Sequence, residues 1–320
     1  MKAAIATSYG SPDVIHLAEV PMPTPKPTEI LVRIHASAVN AADWRLRSAN
    51  PWFVRLVFGP FKPRRPILGV VFAGEVVGTG VAATKYKKGD KLFGWTSLMK
   101  LGGHAEYVAL PETGAFAPIP AAMSYTDAAA IPFGFGTALH FLRKAKVTKG
   151  QRVLIYGASG AVGSAAIQLA GHLGAEVTGV CSTHNVELVR SMGATHVVDY
   201  TKEDLLAHRD RYDLVFETVG KLPFKDCLKL VKQQGTIITG SEMPAQMLAR
   251  LFTGKGGKQA KVIGGTALST PADMQYLAQL CAAQAIRPVI DQVLPLERIV
   301  EAHARAESGR KVGNVVVEMG

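Results

Sequence analysis

The stretch that decides the fold is Val153-Leu154-Ile155-Tyr156-Gly157-Ala158-Ser159-Gly160-Ala161-Val162-Gly163. Its first four residues form a short apolar strand, and a helical pattern opens at Gly163. A glycine-rich turn between a strand and a helix is typical of dinucleotide sites, although Ala158 replaces the first glycine of the GxGxxG pattern. Gly160 lets the backbone approach a pyrophosphate, Gly163 lets the helix pack on the sheet, and the helix N-terminus offers free N–H groups. The stretch therefore predicts a nucleotide-binding site.

Short apolar strands alternate with helical segments after this turn. The predicted strands are Val153–Tyr156, Glu176–Cys181, His196–Tyr200, Tyr212–Phe216 and Gly235–Gly240. The predicted helices between them include Gly163–Leu173 and Val186–Met192. Alternation of this kind predicts a parallel, doubly wound sheet and therefore an α/β fold.

The end of the strand after the turn indicates the type of nucleotide. An NAD site usually has an Asp or Glu there, about 20 residues beyond the turn, which holds the ribose 2′-hydroxyl. This chain has Cys181-Ser182-Thr183-His184-Asn185, with no carboxylate to repel a 2′-phosphate. Ser182, Thr183 and His184 offer hydrogen-bond donors to that phosphate, so the sequence favours NADP. A His184 that simply faces water is the alternative.

The residues before the turn are rich in strand patterns. Ile30–Ala36 is a short predicted strand, and Gly69–Val81 mixes valines with glycines, as in a buried, bent sheet. Residues 125–143 are predicted to be helical, with a break over Pro132–Gly136. This half of the chain therefore predicts a β-rich unit that leads into a helix.

Three segments near the other end of the chain complete the pattern. Glu242–Lys261 is the most loop-like insertion, and its role as a lid or a loose loop stays open. Ala260–Gly265 reads as an edge strand that could pair with its own copy. Val312–Met319 returns to strand character after a helix.

Composition narrows the classes of function. The 320 residues are 48% hydrophobic and 19% charged, which excludes general disorder and fits about two domains. The formal charge of +11 favours an anionic ligand or partner, yet the sequence has no recognised nucleic-acid-binding module. No apolar stretch reaches the ~18 residues of a membrane span, and residues 1–5 open a strand rather than a leader. The widely spaced cysteines predict neither a disulfide framework nor a zinc cluster, so we expect a cytoplasmic protein.

Segments spread over the whole chain resemble the zinc-independent quinone-oxidoreductase (zeta-crystallin-like) branch of the medium-chain dehydrogenase/reductase family. The segments that carry this resemblance are Val39–Trp44, Gly102–Val108, Gly157–Gly163, Gly193–Tyr200 and Gly313–Val317. Each is modestly specific alone, whereas their order and spacing together are specific. The resemblance implies a GroES-like β-rich catalytic domain over residues 1–122, completed by residues 268–320. It also implies a Rossmann-type, doubly wound parallel-sheet cofactor domain over residues 123–267.

The resemblance further implies hydride transfer without zinc. Zinc-dependent members carry a catalytic Cys before the Asp and a Gly-His-Glu after it, whereas the matching stretches here read Asn40-Ala41-Ala42-Asp43 and Gly69-Val70-Val71. A catalytic zinc would therefore lack its thiolate and its imidazole. The implied activity is transfer of hydride from NADPH to a quinone or an activated alkene. A metal-free alcohol dehydrogenase and a non-catalytic NADPH-binding protein of the same fold are the alternatives.

Site residues follow from their positions in the matching motifs. Asn40, Asp43 and Arg45 are the implied catalytic residues, beside the nicotinamide, and no metal ligand is expected. The implied NADP(H)-binding residues are Thr137, Ser159, Gly160, Ala161, Val162, Gly163, Ser182, His184, Tyr200, Gly240, Lys311 and Asn314. Asp43 could equally be a cap or turn residue, and Arg45 a surface cation. On family grounds we expect a homodimer that acts on a small electrophilic substrate.

Overall fold

The computed structural model describes residues 1–209, 211–240 and 260–320. These residues form two compact units. The first unit contains Met1–Phe133 together with Ser269–Gly320, and the second contains Gly134–Leu268. The domain boundaries predicted from the sequence fall after residues 122 and 267.

Strands and helices are numbered in chain order. The strands are β1 Lys2–Ala6, β2 Ile15–Glu19, β3 Glu29–Val39, β4 Val71–Thr79, β5 Lys91–Trp95, β6 Tyr107–Pro111, β7 Phe116–Pro118, β8 Arg152–Tyr156, β9 Glu176–Cys181, β10 His196–Asp199, β11 Tyr212–Glu217, β12 Val231–Thr239, β13 Lys261–Ile263, β14 Ile290–Pro295 and β15 Asn314–Glu318. The helices are α1 Ala41–Ser48, α2 Val54–Phe58, α3 Tyr125–Ala129, α4 Pro132–Ala145, α5 Ala161–His172, α6 Val186–Ser191, α7 Phe224–Leu230, α8 Pro271–Ala282 and α9 Ile299–Glu307. Short 3-10 turns lie at Pro12–Val14, Thr183–Asn185, Leu205–His208 and Leu296–Arg298.

The second unit is built on a six-stranded sheet in the order β10-β9-β8-β11-β12-β13. Every neighbouring pair in it is parallel. Strands β8 and β11 are neighbours in space but not in sequence, so the direction of strand addition reverses between them. This order is that of dinucleotide-binding folds, whose ligands bind where it reverses. The predicted doubly wound parallel sheet is confirmed.

Apolar residues of neighbouring strands form the core of the second unit. Leu154, Val180, Val215 and Ile237 come from four different strands and have no exposed surface. Buried strands are near-continuous hydrophobic runs because both of their faces are covered. Such runs can be recognised in the sequence. Strand β9, for example, has the predicted bounds.

The first unit is built on a seven-stranded sheet to which both parts of the chain contribute. Its path is β14-β15-β3-β4-β5-β7, and β6 also pairs with β3. Strand β15 runs antiparallel to β3 and places Val316 opposite Ala38. The register of β3 and β4 shifts twice, and a Cβ at Gly74 would stand 2.2 Å from the Arg33 carbonyl oxygen. The expected bent, glycine-containing sheet and the returning strand are both present.

The helical region from residue 125 departs from its prediction. We predicted a break over Pro132–Gly136. The break between α3 and α4 instead lies at residues 130–131, and Pro132–Gly136 forms the start of α4. Proline is favoured in the first helical turn because its missing N–H has no intrahelical partner there. A Cβ at Gly134 would stand 2.4 Å from the Ala161 carbonyl oxygen. Gly134 therefore permits close packing of α4 and is not a helix breaker here.

The late segments have mixed outcomes. The predicted edge strand Ala260–Gly265 appears as β13, which pairs only with β12 among the described strands. Most of the Glu242–Lys261 insertion lies outside the described residues. Within the described part of the chain, no helix has the length and apolar character needed to cross a membrane.

Candidate cofactor and catalytic residues

The glycine turn lies at the carboxyl end of β8, where the sheet order reverses. Gly157 has a φ of 79°, and its N–H donates to the Val180 carbonyl at the end of β9. A Cβ at Gly157 would stand 2.6 Å from Val219 Cγ1 and 2.7 Å from Thr218 Oγ1. Glycine is therefore required here both by the left-handed conformation and by the close approach of the segment after β11.

Helix α5 begins directly on this turn. Gly160 is its N-cap residue, and the first intrahelical bond runs from Ser164 N to Gly160 O at 2.8 Å. The N–H groups of Ala161, Val162 and Gly163 precede that bond and have no acceptor within the helix. A Cβ at Gly163 would stand 2.1 Å from the Gly157 carbonyl oxygen. Only a glycine at position 163 lets the start of α5 lie this close to the turn. The free backbone N–H groups at the helix start suit a phosphate.

The segment after β11 is held by a carboxylate that the sequence analysis missed. Glu217 is fully buried and accepts hydrogen bonds from the backbone N–H of Val219 at 3.0 Å, Gly220 at 2.7 Å and Lys221 at 3.2 Å. Burial raises the pKa of Glu217, and these bonds oppose the rise. The Glu217 carbonyl also accepts from the N–H of Gly240 at 2.7 Å. Glu217 therefore shapes the two strand ends that flank the turn.

At the end of β9 the predicted phosphate-binding residues have different surroundings. The His184 side chain is exposed, and Ser182 Oγ accepts a bond from Asn185 Nδ2 at 3.3 Å. Thr183 Oγ1 instead donates to Asp199 Oδ2 at 2.6 Å. Ser182 and His184 are thus near each other in the chain and lie at the same strand end, whereas Thr183 is engaged elsewhere.

Asp199 places a carboxylate at this edge that the sequence analysis did not consider. Its oxygens accept from the hydroxyls of Thr183 and Thr201, both at 2.6 Å. These two bonds lower the pKa of Asp199. The carboxylate is at the end of β10, one strand further out, so residue spacing along β9 gives no signal for it.

The other predicted cofactor residues fall into two groups. Tyr200 is 52% exposed and stacks on Tyr156 with 6.4 Å between the ring centroids. Thr137 is a nearly buried residue of α4 in the same unit. Lys311 and Asn314 belong to the first unit, where Asn314 Nδ2 donates to Val289 O at 3.0 Å and Lys311 Nζ donates to Gly313 O. The roles of all four residues stay predictions.

Asn40 and Asp43 form a capping box at the start of α1. Asn40 Oδ1 accepts from Ala42 N at 3.0 Å, and Asp43 Oδ2 accepts from Asn40 N at 3.0 Å. The second Asp43 oxygen accepts from Gly69 N and Val70 N, each at 3.1 Å. Asp43 therefore ties the start of α1 to the segment that leads into β4.

The environment of this box is closed. Asp43 has no exposed surface, and Asn40 is almost as buried. Burial raises the pKa of Asp43 to about 7, and backbone hydrogen bonds oppose the rise. The third implied catalytic residue, Arg45, is half-buried on α1 with its guanidinium 5.3 Å from the Trp44 ring centroid. The structure brings Asn40 and Asp43 into contact, and it turns Arg45 toward Trp44.

The polar side-chain atoms of Asn40 and Asp43 are engaged in hydrogen bonds. The Asn40 amide oxygen caps α1 and its Nδ2 donates to Ala38 O at 3.3 Å, while both Asp43 oxygens accept backbone N–H groups. Val70 offers no ligand atom. Across the described residues, no group of three or more His, Cys, Asp or Glu side chains could hold a metal ion.

Together, a β-rich unit and a doubly wound unit with a glycine turn at its switch point define a nicotinamide-dinucleotide-binding dehydrogenase or reductase. Comparison with protein-family models agrees with this class. A model described as "Alcohol dehydrogenase GroES-like domain" matches residues 26–121, and one described as "Zinc-binding dehydrogenase" matches residues 192–317.

Similar proteins narrow this class. The 2-methylene-furan-3-one reductase of Solanum lycopersicum is 32% identical over 99% of this chain and 79% of that protein. The chloroplastic NADPH-dependent alkenal/one oxidoreductase of Arabidopsis thaliana is 30% identical, with the same two coverages of 99% and 79%. The structure of the quinone oxidoreductase from Coxiella burnetii superposes with a TM-score of 0.91, at 27% identity over 99% of both chains. This chain belongs to the medium-chain dehydrogenase/reductase family, in the branch of quinone oxidoreductases and alkenal reductases.

Proposed function

We propose that the protein is an NADPH-dependent, zinc-independent oxidoreductase that transfers hydride to a quinone or to an activated alkene. The observation that carries the proposal is the glycine turn at the switch point of the sheet, followed by a strand end without an acidic ribose ligand. Relatives named as quinone, alkenal and furanone reductases support the acceptor class. The protein would bind both reactants, orient them and keep water away.

Residues of the second unit would hold the nucleotide. The N–H groups of Ala161, Val162 and Gly163 would bind the pyrophosphate, with Ser159 and Gly160 beside it in the turn. Thr137, Tyr200 and Gly240 are proposed as further contacts, as are Lys311 and Asn314 of the first unit. The bound dinucleotide supplies the hydride, and these contacts fix its position.

The preference for NADPH is assigned to the end of β9. Ser182 and His184 there have no carboxylate beside them in the sequence, and the exposed imidazole is available to the 2′-phosphate. Asp199, the carboxylate at the neighbouring strand end, accepts the hydroxyls of Thr183 and Thr201. Asp199 lies on β10, one strand further out than the acidic residue of an NAD site, which stands at the end of the strand that follows the turn.

Metal independence fits the acceptor. Reduction of a quinone needs little acid help, because the ring stabilises the oxyanion that develops. A hydrogen-bond donor beside that oxygen stabilises it further, and the half-buried guanidinium of Arg45 is the proposed donor. Asp43 acts through the backbone of Asn40, Gly69 and Val70, and it is therefore a positioning residue in this proposal.

Loss of absorbance at 340 nm tests the proposal. We expect purified protein to oxidise NADPH faster than NADH with a bulky ortho-quinone or an α,β-unsaturated aldehyde, and to keep its rate after dialysis against a chelator. His184→Ala should raise the KM for NADPH roughly 10- to 100-fold and leave that for NADH unchanged, because a bond to a charged phosphate contributes about 1.5–3 kcal/mol. His172→Ala, at the far end of α5, is the matched control with no expected effect.

Two outcomes would refute parts of the proposal. Absence of binding to either nucleotide would refute the cofactor assignment. Binding of NADPH with no acceptor reduced would instead favour a non-catalytic NADPH-binding protein, and oxidation of alcohols alone would favour a metal-free alcohol dehydrogenase.

A homodimer and a cytoplasmic location belong to the same proposal. Strand β13 is at a sheet edge, and edge strands offer unpaired backbone groups to a second copy. The three cysteines are buried free thiols, which fits a reducing compartment. Light scattering at micromolar concentration tests the dimer, and a monomer there would refute it.

A further inference from the structure

An unusual surface follows α1 in the first unit. Between Asp43 and Glu75 the sequence has six arginines and lysines and no acidic residue. Trp52, Leu56 and Phe61 in this stretch are 72%, 69% and 90% exposed. We call the following set the aromatic–basic patch: Trp52, Phe53, Arg55, Leu56, Val57, Phe61, Lys62, Arg64 and Arg65.

The patch is anchored to the rest of the unit. Tyr9 Oη donates to the Gly59 carbonyl at 2.8 Å, and Arg64 N donates to the Phe58 carbonyl at 2.8 Å. Arg65 Nη1 donates to the Lys100 carbonyl at 3.1 Å. These bonds hold the turn at residue 59 against neighbouring segments. The backbone on both sides of Phe61 is therefore held in place.

A small cavity lies beside the patch. Its volume is about 130 Å³, and its lining includes Val57, Leu68 and Met99 together with Arg64 and Arg65. Met99 is also exposed. An apolar surface rimmed by cations thus continues from α2 to the segment before β6. Contiguous exposed apolar surface of this kind marks an interaction site.

We propose that the aromatic–basic patch docks the protein on a bilayer that contains anionic phospholipid. Aromatic side chains are favoured at the lipid headgroup level, where their rings meet both polar and apolar surroundings. Basic side chains nearby bind the negative surface, and each contributes about fivefold in affinity. The absence of acidic residues over this whole stretch matches a partner of uniformly negative charge.

Charge also argues against the other partners. In a symmetric dimer through this patch, the cations Arg55, Lys62, Arg64 and Arg65 of the two copies would face each other and repel. A nucleic acid would bind the cations by its phosphates and stack bases on the aromatic rings, yet it would leave Leu56 and Val57 of α2 without an apolar partner. A bilayer surface suits both features. The proposal does not rest on the proposed reaction.

Vesicle flotation with the full chain tests the proposal. We expect binding to vesicles of phosphatidylcholine with phosphatidylserine, much weaker binding to phosphatidylcholine alone, and weakening by salt. Trp52→Ser/Phe61→Ser should lower affinity for the anionic vesicles at least tenfold, because two aromatic groups no longer enter the interface. Lys62→Gln/Arg64→Gln should lower it about 25-fold.

Matched controls separate docking from the general positive charge. Val81→Ser removes an apolar side chain that is fully displayed elsewhere on the first unit, and Lys87→Gln/Lys88→Gln removes the same charge as the patch variant. Both controls should bind like the parent chain. A second measurement keeps the test valid if a double variant does not fold. Brominated lipid should quench the tryptophan emission of the parent chain, and this quenching should be lost in Trp52→Phe.

The proposal is overturned by any of three results. The first is the absence of binding to anionic vesicles at low salt. The second is an equal loss of binding in the patch and control variants, which would show nonspecific attraction only. The third is a dimer in solution that the Trp52→Ser/Phe61→Ser variant dissociates, which would make a second copy the partner.

Discussion

Replacing Gly163 by alanine is the sharpest test of the turn. The new Cβ would stand 2.1 Å from the Gly157 carbonyl oxygen, and Cβ contacts below 3.0 Å are essentially never seen. The obstacle is backbone on both sides, so no side-chain rotation relieves it. The turn and the start of α5 must therefore separate by about 1 Å.

The magnitude follows from two effects. Overpacking costs about 1–3 kcal/mol, and the better helix propensity of alanine returns about 0.5–1 kcal/mol. The separation also displaces the N–H groups of residues 161–163, which we assign to the pyrophosphate. Loss of one bond to a charged group costs about 1.5–3 kcal/mol, so we expect the Kd for NADPH to rise roughly 10- to 100-fold.

The assay pairs a nucleotide titration with a urea midpoint measured without nucleotide. Gly171→Ala is the matched control, since Gly171 belongs to the same helix and a Cβ there meets nothing within 4 Å. It should raise the urea midpoint slightly and leave the Kd for NADPH unchanged. If Gly163→Ala binds NADPH as tightly as Gly171→Ala does, the close contact between Gly163 and the turn does not position the N–H groups for the pyrophosphate, and the reasoning is refuted.

Further predictions concern buried polar groups of the first unit. Asp43→Ala leaves the N–H groups of Asn40, Gly69 and Val70 without their acceptor and should cost at least about 3 kcal/mol in urea unfolding, whereas Asp43→Asn keeps one acceptor oxygen and should cost about half of that. Burial raises the pKa of Asp43 to about 7, so folding favours its protonated form. The parent chain should therefore be more stable than Asp43→Asn by an amount that shrinks as pH rises from about 4 to 7. A difference that stays constant with pH would contradict this. Burial lowers the pKa of His104 to about 4, so folded His104 stays neutral while the unfolded chain takes up a proton as pH falls below about 6.5. His104 should therefore lower the stability by about 1.4 kcal/mol per pH unit in that range, and buried His303, whose pKa is also lowered, adds to the slope. The His104→Gln variant should have a shallower slope, and an unchanged slope would refute the assignment.

The second unit could be predicted well because its strands are short apolar runs. β8, β9 and β11 are buried on both faces, so composition alone separates them from the helices. Gly163 was also predicted to allow close packing, and the 2.1 Å contact agrees with that. The break near Pro132 was misplaced because proline is common both in turns and at the first position of a helix, and the sequence does not distinguish the two.

The polar contacts of the site could not be predicted in this way. Asp43 accepts from Gly69 and Val70, which are distant in sequence and reach it only after β3 and β4 have paired. Asp199 meets Thr183 only because β9 and β10 are adjacent strands. A pattern of residue types reports periodicity along one segment. It carries no information on which segment will supply the donor.

The pairing of β15 with β3 has a consequence for synthesis. A ribosome makes residues 1–133 first and then the whole of the second unit, and only later β15, which pairs with residues 36–39 of β3. The second unit is continuous in the chain, so it can fold on emergence, while the first waits with β3 incompletely paired. During that interval residues 36–39 of β3 are an open edge in the nascent chain, and open edges recruit other strands. Ribosome-bound chains stalled before β15 should therefore engage chaperones through the earlier unit.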